Sequence, residues 1–271
     1  NANKIKIKEE ETGKQKHEYE KLNEEKTVTS SKLMTYKEKN EVLLKDYKNL
    51  EKAYELVKRS NINSGEKIAS LQINKILNEF SDENLLKYWY TFDNLMIFDG
   101  SEPRQIDHLI LCDKGCFVIE TKNWKGDVFY NVNKKTLEDN GMGILNRYLN
   151  NNDCMTFVLK KDGNGGITYA YNGKPNTQVT TTAYILNQRM KELSGLNIYV
   201  NAIVYFNYIS KGNEYIFIDG STDKSNALVA NQEDELREVL RSVIKKNKGS
   251  SNEISEESAE RYLDVLKGYS V

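Results

Sequence analysis

The chain has 271 residues, enough for one domain of catalytic size plus an appendage, or for two small domains. Its 39 Lys and Arg residues nearly balance its 40 Asp and Glu residues, so a nucleic-acid partner would need a local basic patch. The three cysteines lack the spacing of a zinc site or a disulfide framework, and two histidines exclude HExxH helices and His-rich dinuclear sites.

Cellular location is only loosely indicated by the sequence. No apolar run approaches the roughly 20 residues that a membrane span needs, and the unpaired cysteines favour a reducing, cytoplasmic setting. The chain begins with Asn1 rather than Met, so a removed N-terminal membrane anchor stays open.

Residues 14–60 contain no Gly or Pro and are rich in Lys and Glu, which predicts one long helix. An apolar and tyrosine stripe returns at alternating steps of three and four, with Asn40 at a position that commonly fixes the register of a coiled coil. We expect residues 15–58 to form a coiled-coil stalk that makes the protein a homo-oligomer. The alternative is a solvated helix that folds back on the globular part.

The segment "NINSGEKIAS" (Asn61–Ser70) ends the stalk and begins a second helix, and Glu66 lies at the N-terminal end of its apolar face. The segment from Leu85 to Phe98 is interpreted as a helix end or loop that leads into a first strand. Two further strands follow, Ile106–Cys112 and Cys116–Lys122, joined by the tight turn "CDKG".

The rest of the chain alternates short strands with helices. Residues 127–175 are rich in Asn, Gly, Lys and Tyr and predict a polar β insertion, and a helix then runs from Pro175 to a stop at Gly195. Two strands in "NIYVNAIVYFNY" and "YIFIDG" and two amphipathic C-terminal helices complete the chain. This order predicts an α/β fold on a mixed β-sheet flanked by helices.

Three charged residues interrupt an otherwise apolar hairpin. A turn on Asp113 and Lys114 places Asp107 opposite Glu120, and the strand period of two puts Lys122 on the face of Glu120. Two neighbouring carboxylates repel each other unless a cation lies between them, and Mg²⁺ accepts carboxylate oxygens together with water and phosphate oxygens. The residues therefore predict metal-dependent hydrolysis of a phosphodiester.

These residues resemble a known family. Asp107, twelve residues and then "ETK" is similar to the signature of the PD-(D/E)XK nucleases. More narrowly, "GEKIA", "IDHLIL", "GCFVIETKNWKG" and "NTQ", in this order, resemble the NERD (nuclease-related) domain over roughly residues 62–195. The resemblance implies a restriction-endonuclease-like core. Ile106 stands where the superfamily name has Pro, and the 127–174 region is longer than the family pattern leads us to expect.

The resemblance also implies roles for individual residues. Asp107 and Glu120 match the metal ligands, with the main-chain carbonyl of Thr121 as a further ligand, and Lys122 matches the catalytic lysine. Mg²⁺ or Mn²⁺ is the implied cofactor. A simpler interpretation is that Glu120 and Lys122 are charges that discourage sheet-to-sheet pairing, although this explains one charge in a strand better than three.

Two more residues match outside the hairpin. Glu66 matches an acidic residue on the first helix that reaches the metal through water, but it could instead complete a capping box with Asn63. Gln178 matches a glutamine that steadies the active site or the substrate, but it could be an ordinary solvated helix residue. His108 points away from Asp107 by alternation and is interpreted as a core group or as a group that supports the site residues, rather than as a catalytic base.

The sequence therefore predicts a Mg²⁺-dependent deoxyribonuclease with catalytic residues Glu66, Asp107, Glu120, Lys122 and Gln178. The expected domains are a stalk (1–60), a nuclease-like domain (61–250) with its insertion, and a C-terminal helix (251–271). Nucleic acid, with DNA favoured, is the expected partner. The competing interpretations are a catalytically degenerate nuclease fold that binds nucleic acid or acts as an oligomeric scaffold, and a stalk protein with a globular cap. The candidate phosphate contacts are Lys122, Lys125, Lys160, Lys161 and Lys174.

Overall fold

The computed structural model describes residues 64–98, 103–150, 153–164, 166–171, 173–208, 215–221 and 226–267, together with residues 26, 34, 36, 37, 39–41 and 44. Contacts divide the chain into two compact units, residues 1–56 and 57–271. The described positions of the first unit are helical, and most of the predicted coiled coil lies outside the described residues. The stalk and its oligomer therefore stay predictions.

The second unit is an α/β fold, as predicted, and its elements follow the expected order with three additions. The helices are α1 (Ser64–Asp82), α2 (Lys134–Asp139), α3 (Pro175–Ser194), α4 (Gln232–Asn247) and α5 (Glu256–Lys267), with a 3₁₀ helix at Gly143–Tyr148. The strands are β1 (Trp89–Phe98), β2 (Pro103–Cys112), β3 (Gly115–Lys122), β4 (Asp127–Val132), β5 (Met155–Lys161), β6 (Ile167–Tyr171), β7 (Val200–Phe206), β8 (Phe217–Asp219) and β9 (Leu228–Asn231). The three additions are α2, the 3₁₀ helix and β9.

The main sheet has the order β1-β2-β3-β7-β9 and is mixed. The first three strands are antiparallel neighbours, whereas β7 runs parallel to β3 and β9 runs parallel to β7. β3 lies at the centre of the sheet, and seven of its eight residues are buried. An apolar run that is buried on both faces is typical of a central strand, which explains why its charged residues are costly.

Two helical layers cover this sheet. One hydrophobic cluster joins α1 and α4 to the face that carries Ile110, Phe117 and Ile119. A second cluster joins α3 and α5 to the opposite face, through Leu109 and Val118 among others. The fully buried apolar faces of four helices therefore hold the sheet and fix the end of the β2–β3 hairpin in space.

The insertion forms a second sheet, which is more than the expected polar hairpin. Its order is β6-β5-β4-β8, so the segment "YIFIDG" pairs with β4 and does not extend the main sheet. Phe129 and Phe157 stack with ring centroids 4.6 Å apart and belong to a small core of their own. β8 is three residues long, and its position depends on pairing with a distant strand, which local sequence pattern does not encode.

Candidate active site

The β2–β3 hairpin opens where its charged residues begin. The predicted register is confirmed from Cys112 opposite Gly115 to His108 opposite Ile119, which is the last recorded pair. One step further, the Thr121 N–H donates a hydrogen bond of 2.9 Å to Oδ2 of Asp107. The Asp107 carboxylate thus accepts a hydrogen bond from a backbone N–H at the point where the β2–β3 ladder stops. This bond holds Asp107 beside Glu120 at the open end of the hairpin.

The backbone pairing of Asp107 with strand β1 is also interrupted. The recorded pairs between β1 and β2 skip from Asp93 opposite His108 to Leu95 opposite Ile106. At the skipped position Asn94 has a positive φ of 56°, a conformation that Asn tolerates better than most residues. The backbone ladder is therefore interrupted at Asp107 on both sides.

Glu120 and Lys122 form the most buried ion pair of this region. The Lys122 Nζ donates to Oε1 of Glu120 at 2.5 Å, and the exposed fractions of the two side chains are 16% and 6%. Burial and the nearby charge of Asp107 raise the pKa of Glu120, although Lys122 opposes the shift. One lysine therefore does not balance the negative charge around Glu120.

Glu66 adds a third carboxylate to the same electrostatic field. It is half-buried in the first turn of α1, and burial followed by the charge of Asp107 raises its pKa, against the opposing effect of Lys122. Glu66 in turn contributes to the raised pKa of Glu120. The structure thus brings Glu66, Asp107, Glu120 and Lys122 within electrostatic reach of one another, as the sequence pattern predicts.

Gln178 lies at the edge of this group. Its Oε1 is 3.5 Å from the Lys122 Nζ, a long contact on the exposed side of the site. The side chain comes from the first turns of α3, which Pro175 begins at the first helical position. The ammonium of Lys122 also lies 5.9 Å from the centre of the Trp124 ring. Lys122 is therefore held between Glu120, Gln178 and Trp124.

A polar chain next to the carboxylates was missed by the sequence interpretation. Asp93 Oδ1 lies 2.7 Å from Nδ1 of His108, and Oδ2 of Asp93 accepts from Ser70 at 2.6 Å. Burial opposes ionisation of Asp93, but its hydrogen bonds to His108 and Ser70 lower its pKa. The Nε2 atom of the buried His108 ring has no hydrogen-bond partner among the described residues. The β1–β2 register pairs Asp93 with His108, and Ser70 comes from α1.

A second missed feature fixes the start of α1. The Asn207 side chain donates to the carbonyl of Gly65 at 2.6 Å and accepts from Asn123 at 3.0 Å. A Cβ atom on Gly65 would lie 2.4 Å from that of Asn123, so only glycine allows this approach. Glu66 is the next residue, and its position therefore depends on contact between α1 and the loop after β3.

The arrangement of the carboxylates decides whether a divalent cation fits the site. No three His, Cys, Asp or Glu side chains gather into a metal site within the described part of the chain. However, Asp107 and Glu120 each use one oxygen in a hydrogen bond, and their other oxygens make none with described residues. Two carboxylates with free oxygens and uncompensated charge fit a hard cation that completes its coordination with water and substrate oxygens.

Comparison with known proteins agrees with this geometry. The family profile described as "Nuclease-related domain", NERD, matches residues 63–207, which is more than half of the chain. The chain belongs to the NERD family. The matched NERD region spans α1, the main sheet through β7 and strands β4, β5 and β6 of the second sheet, and it contains every candidate site residue. No curated protein and no solved structure matches the chain. None of the described helices is both long and apolar enough to cross a membrane.

Proposed function

We propose that this NERD protein is a divalent-metal-dependent nuclease that hydrolyses phosphodiester bonds, with DNA as the favoured substrate. The observation that carries the proposal is the open end of the β2–β3 hairpin, where Asp107 and Glu120 lie together with charge that Lys122 does not balance. An excess of carboxylates in a buried strand costs free energy, and a metal ion bound for hydrolysis would offset that cost.

Each residue has a separate task in this proposal. Asp107 and Glu120 would hold Mg²⁺ or Mn²⁺ through their free oxygens, with the Thr121 carbonyl as a further ligand. When bound, the ion would acidify a water and draw charge from the phosphate. Lys122 stabilises the negative charge that develops on the phosphate oxygens, and Gln178 fixes the direction of the lysine. Glu66 positions water at the edge of the site.

The reaction is a hydrolysis. A bond forms between the water oxygen and phosphorus, the bond from phosphorus to the leaving sugar oxygen breaks, and the water proton is passed on so that the leaving oxygen departs protonated. The products are a phosphomonoester and an alcohol. Because the attacking and leaving groups lie on opposite sides of phosphorus, the lysine must reach the oxygens between them.

The test is digestion of supercoiled plasmid by wild type and Glu120→Gln protein in Mg²⁺, in Mn²⁺ and in excess EDTA. Wild type is expected to cut in either metal and not in EDTA, and the variant to lose at least about a thousandfold in rate. Equal residual cutting by the two proteins would remove the enzyme proposal.

One observation favours a second candidate. Lys122 occupies an oxygen of Glu120, so a chain that had lost metal binding could keep the pair as a structural contact. In that case the protein is a nuclease-fold module that binds nucleic acid or assembles as a scaffold. It would retain oligonucleotide in a filter-binding assay at low salt and cut nothing in any divalent metal.

We further propose that residues 15–58 of the expected 1–60 stalk join copies of the chain, which would bring two or more sites to one substrate. The remaining domains would be residues 61–250 and 251–271. Sedimentation equilibrium of the full chain beside the 61–271 fragment tests the stalk. The full chain should be oligomeric and the fragment monomeric, and equal monomeric masses would contradict the assignment.

A further inference from the structure

A concave site apart from the candidate active site lies in the insertion. Its volume is ≈ 720 Å³, and it lies between the 3₁₀ helix and the β5–β6 hairpin. Apolar side chains dominate its wall: Met142, Leu145, Leu149, Met155 and Leu159. None of the residues proposed for catalysis lines this cavity.

Large apolar side chains are exposed at the mouth of this cavity. Ile144 is 75% exposed, Tyr148 70% and Tyr169 48%. The Tyr169 ring also packs on Phe157, with centroids 5.3 Å apart, and Phe157 in turn stacks on Phe129. A rigid aromatic stack that ends in a partly exposed ring is a suitable surface for another flat ring.

Polar groups at the same cavity are few and have distinct chemistry. Asp153 and Lys174 both line it, and the guanidinium of Arg147 lies 5.6 Å from the centre of the Tyr148 ring. A carboxylate can accept from an exocyclic amino group or ring N–H, whereas the ammonium and guanidinium groups suit a phosphate. An apolar slot with one carboxylate and one ammonium in its lining, and a guanidinium beside one of its rings, matches a nucleotide.

Helix α3 links the lining of the cavity to the candidate active site. Lys174 precedes this helix directly, and its carbonyl accepts the Gln178 N–H at 3.0 Å. Gln178 one turn later contacts Lys122 through its side chain. A residue of the cavity lining and the residue that contacts Lys122 therefore lie one helical turn apart, about 5.4 Å along α3.

We infer that this cavity binds an unpaired nucleobase of the strand that the site cuts, stacked against Tyr148 and Tyr169. A base inside a duplex cannot enter such a slot without leaving its stack, so single strands, frayed ends and flaps are the preferred substrates. This inference rests on the proposed nuclease function, because it assigns a substrate class to the same site. Lys174 contacts the phosphate of the captured nucleotide.

The test measures binding apart from cleavage. The Glu120→Gln protein is titrated with a fluorescein-labelled 12-nucleotide single strand and with the corresponding blunt duplex, in Ca²⁺ and at fixed salt, and anisotropy gives Kd. Adding Tyr148→Ala should weaken single-strand binding about tenfold and leave duplex binding nearly unchanged. Tyr148→Trp should restore the affinity because it keeps a stacking ring.

Matched controls come from tyrosines with similar exposure elsewhere. Tyr184 and Tyr199 are 65% and 62% exposed and line the other large groove. Changing either to alanine is expected to leave single-strand affinity within about twofold. An equal loss for Tyr184→Ala and Tyr148→Ala would show general surface binding and overturn the inference.

The two proposals can fail separately. Metal-dependent cutting with tighter binding to duplex than to single strand, and no effect of Tyr148→Ala, would overturn the base-binding cavity and leave the nuclease standing. Absence of cutting with a Tyr148-dependent preference for single strands would overturn the nuclease and keep the cavity as a nucleic-acid site.

Discussion

The two ends of the β2–β3 hairpin carry the same kind of ion pair in opposite settings. At the turn, Lys114 donates to Glu253 at 2.5 Å, and at the open end Lys122 donates to Glu120 at 2.5 Å. The hydrogen bond from Lys114 lowers the pKa of Glu253, whereas burial and Asp107 raise the pKa of Glu120. Equal Lys–Glu distances therefore accompany opposite electrostatic states.

The difference lies in what surrounds each pair. At the turn, Asp113 accepts from the backbone N–H of Lys87 and lies 3.2 Å from the Lys114 ammonium, and Asn247 donates to the Lys114 carbonyl. These contacts bind the turn to neighbouring elements, and Lys87 joins Lys114 in lowering the pKa of Glu253. At the open end three carboxylates, Glu66, Asp107 and Glu120, share the charge of Lys122. Burial together with this excess of negative charge, rather than an ion pair as such, distinguishes the candidate site from a structural contact.

The largest expected effect comes from exchanging the two lysines for a neutral side chain of similar length. Lys122→Met should lower the rate of plasmid cutting by about a hundredfold or more, because developing charge on the phosphate loses its counter-ion. Lys114→Met should leave the rate within about twofold. Initial rates of plasmid cutting at saturating Mg²⁺ measure both effects. Equal slowing of cleavage by the two variants would contradict the proposed difference between the two ends of the hairpin.

The next effect tests how the site depends on α1. Gly65→Ala should destabilise the protein by about 1–3 kcal/mol, because the added methyl group overlaps Asn123. It should also lower cleavage by displacing Glu66. Gly143→Ala is the control, since the nearest atom to a Cβ at that position is 3.5 Å away in the Glu138 side chain. Urea unfolding and initial rates report the two effects, and equal midpoints for both variants would contradict the packing argument.

The smallest effect is on the pH dependence of stability without metal. The pKa of Glu120 is raised above its usual 4.5, so the folded state holds more protons than the unfolded state in the window above that value. Stability is therefore lost as the pH rises through this window. In EDTA, Glu120→Gln should raise Tm at pH 8 by about 2–4 °C, and the gain should shrink towards pH 4.

The turn end should respond with the opposite sign. The pKa of Glu253 is lowered, so its ionised form stabilises the fold above the usual value and this contribution is lost as the pH falls. Glu253→Gln should therefore not raise Tm at pH 8. Calorimetric scans at matched pH values check both variants, and a gain for Glu253→Gln at pH 8 would show that the two pairs are equivalent.

Much of the main sheet and of the candidate site could be predicted from the sequence. The turn "CDKG", the apolar strand interrupted by Glu120 and the limits set by Pro175 and Gly195 are local signals, and each is confirmed. The register then follows from the position of the turn. It brings Asp107 near Glu120 without any knowledge of the tertiary fold.

Features that depend on distant pairing were not predictable in this way. β9 is only four residues long and pairs with β7 in the main sheet, whereas β8 belongs to the second sheet. The Asp93–His108 contact requires the β1–β2 register, and the close approach of Gly65 to Asn123 joins two elements that are far apart in sequence. The side-chain hydrogen bond of Asp107 in place of a ladder pair is likewise a tertiary result.

The most direct test of the central claim is diffraction from crystals soaked in Mn²⁺, with an anomalous map calculated at the manganese edge. The account predicts a peak bound by Asp107 and Glu120, absent in Glu120→Gln crystals, and no peak at Lys114 and Glu253. A wild type map without density at the open end of the hairpin, or with equal density at both ends, would contradict it.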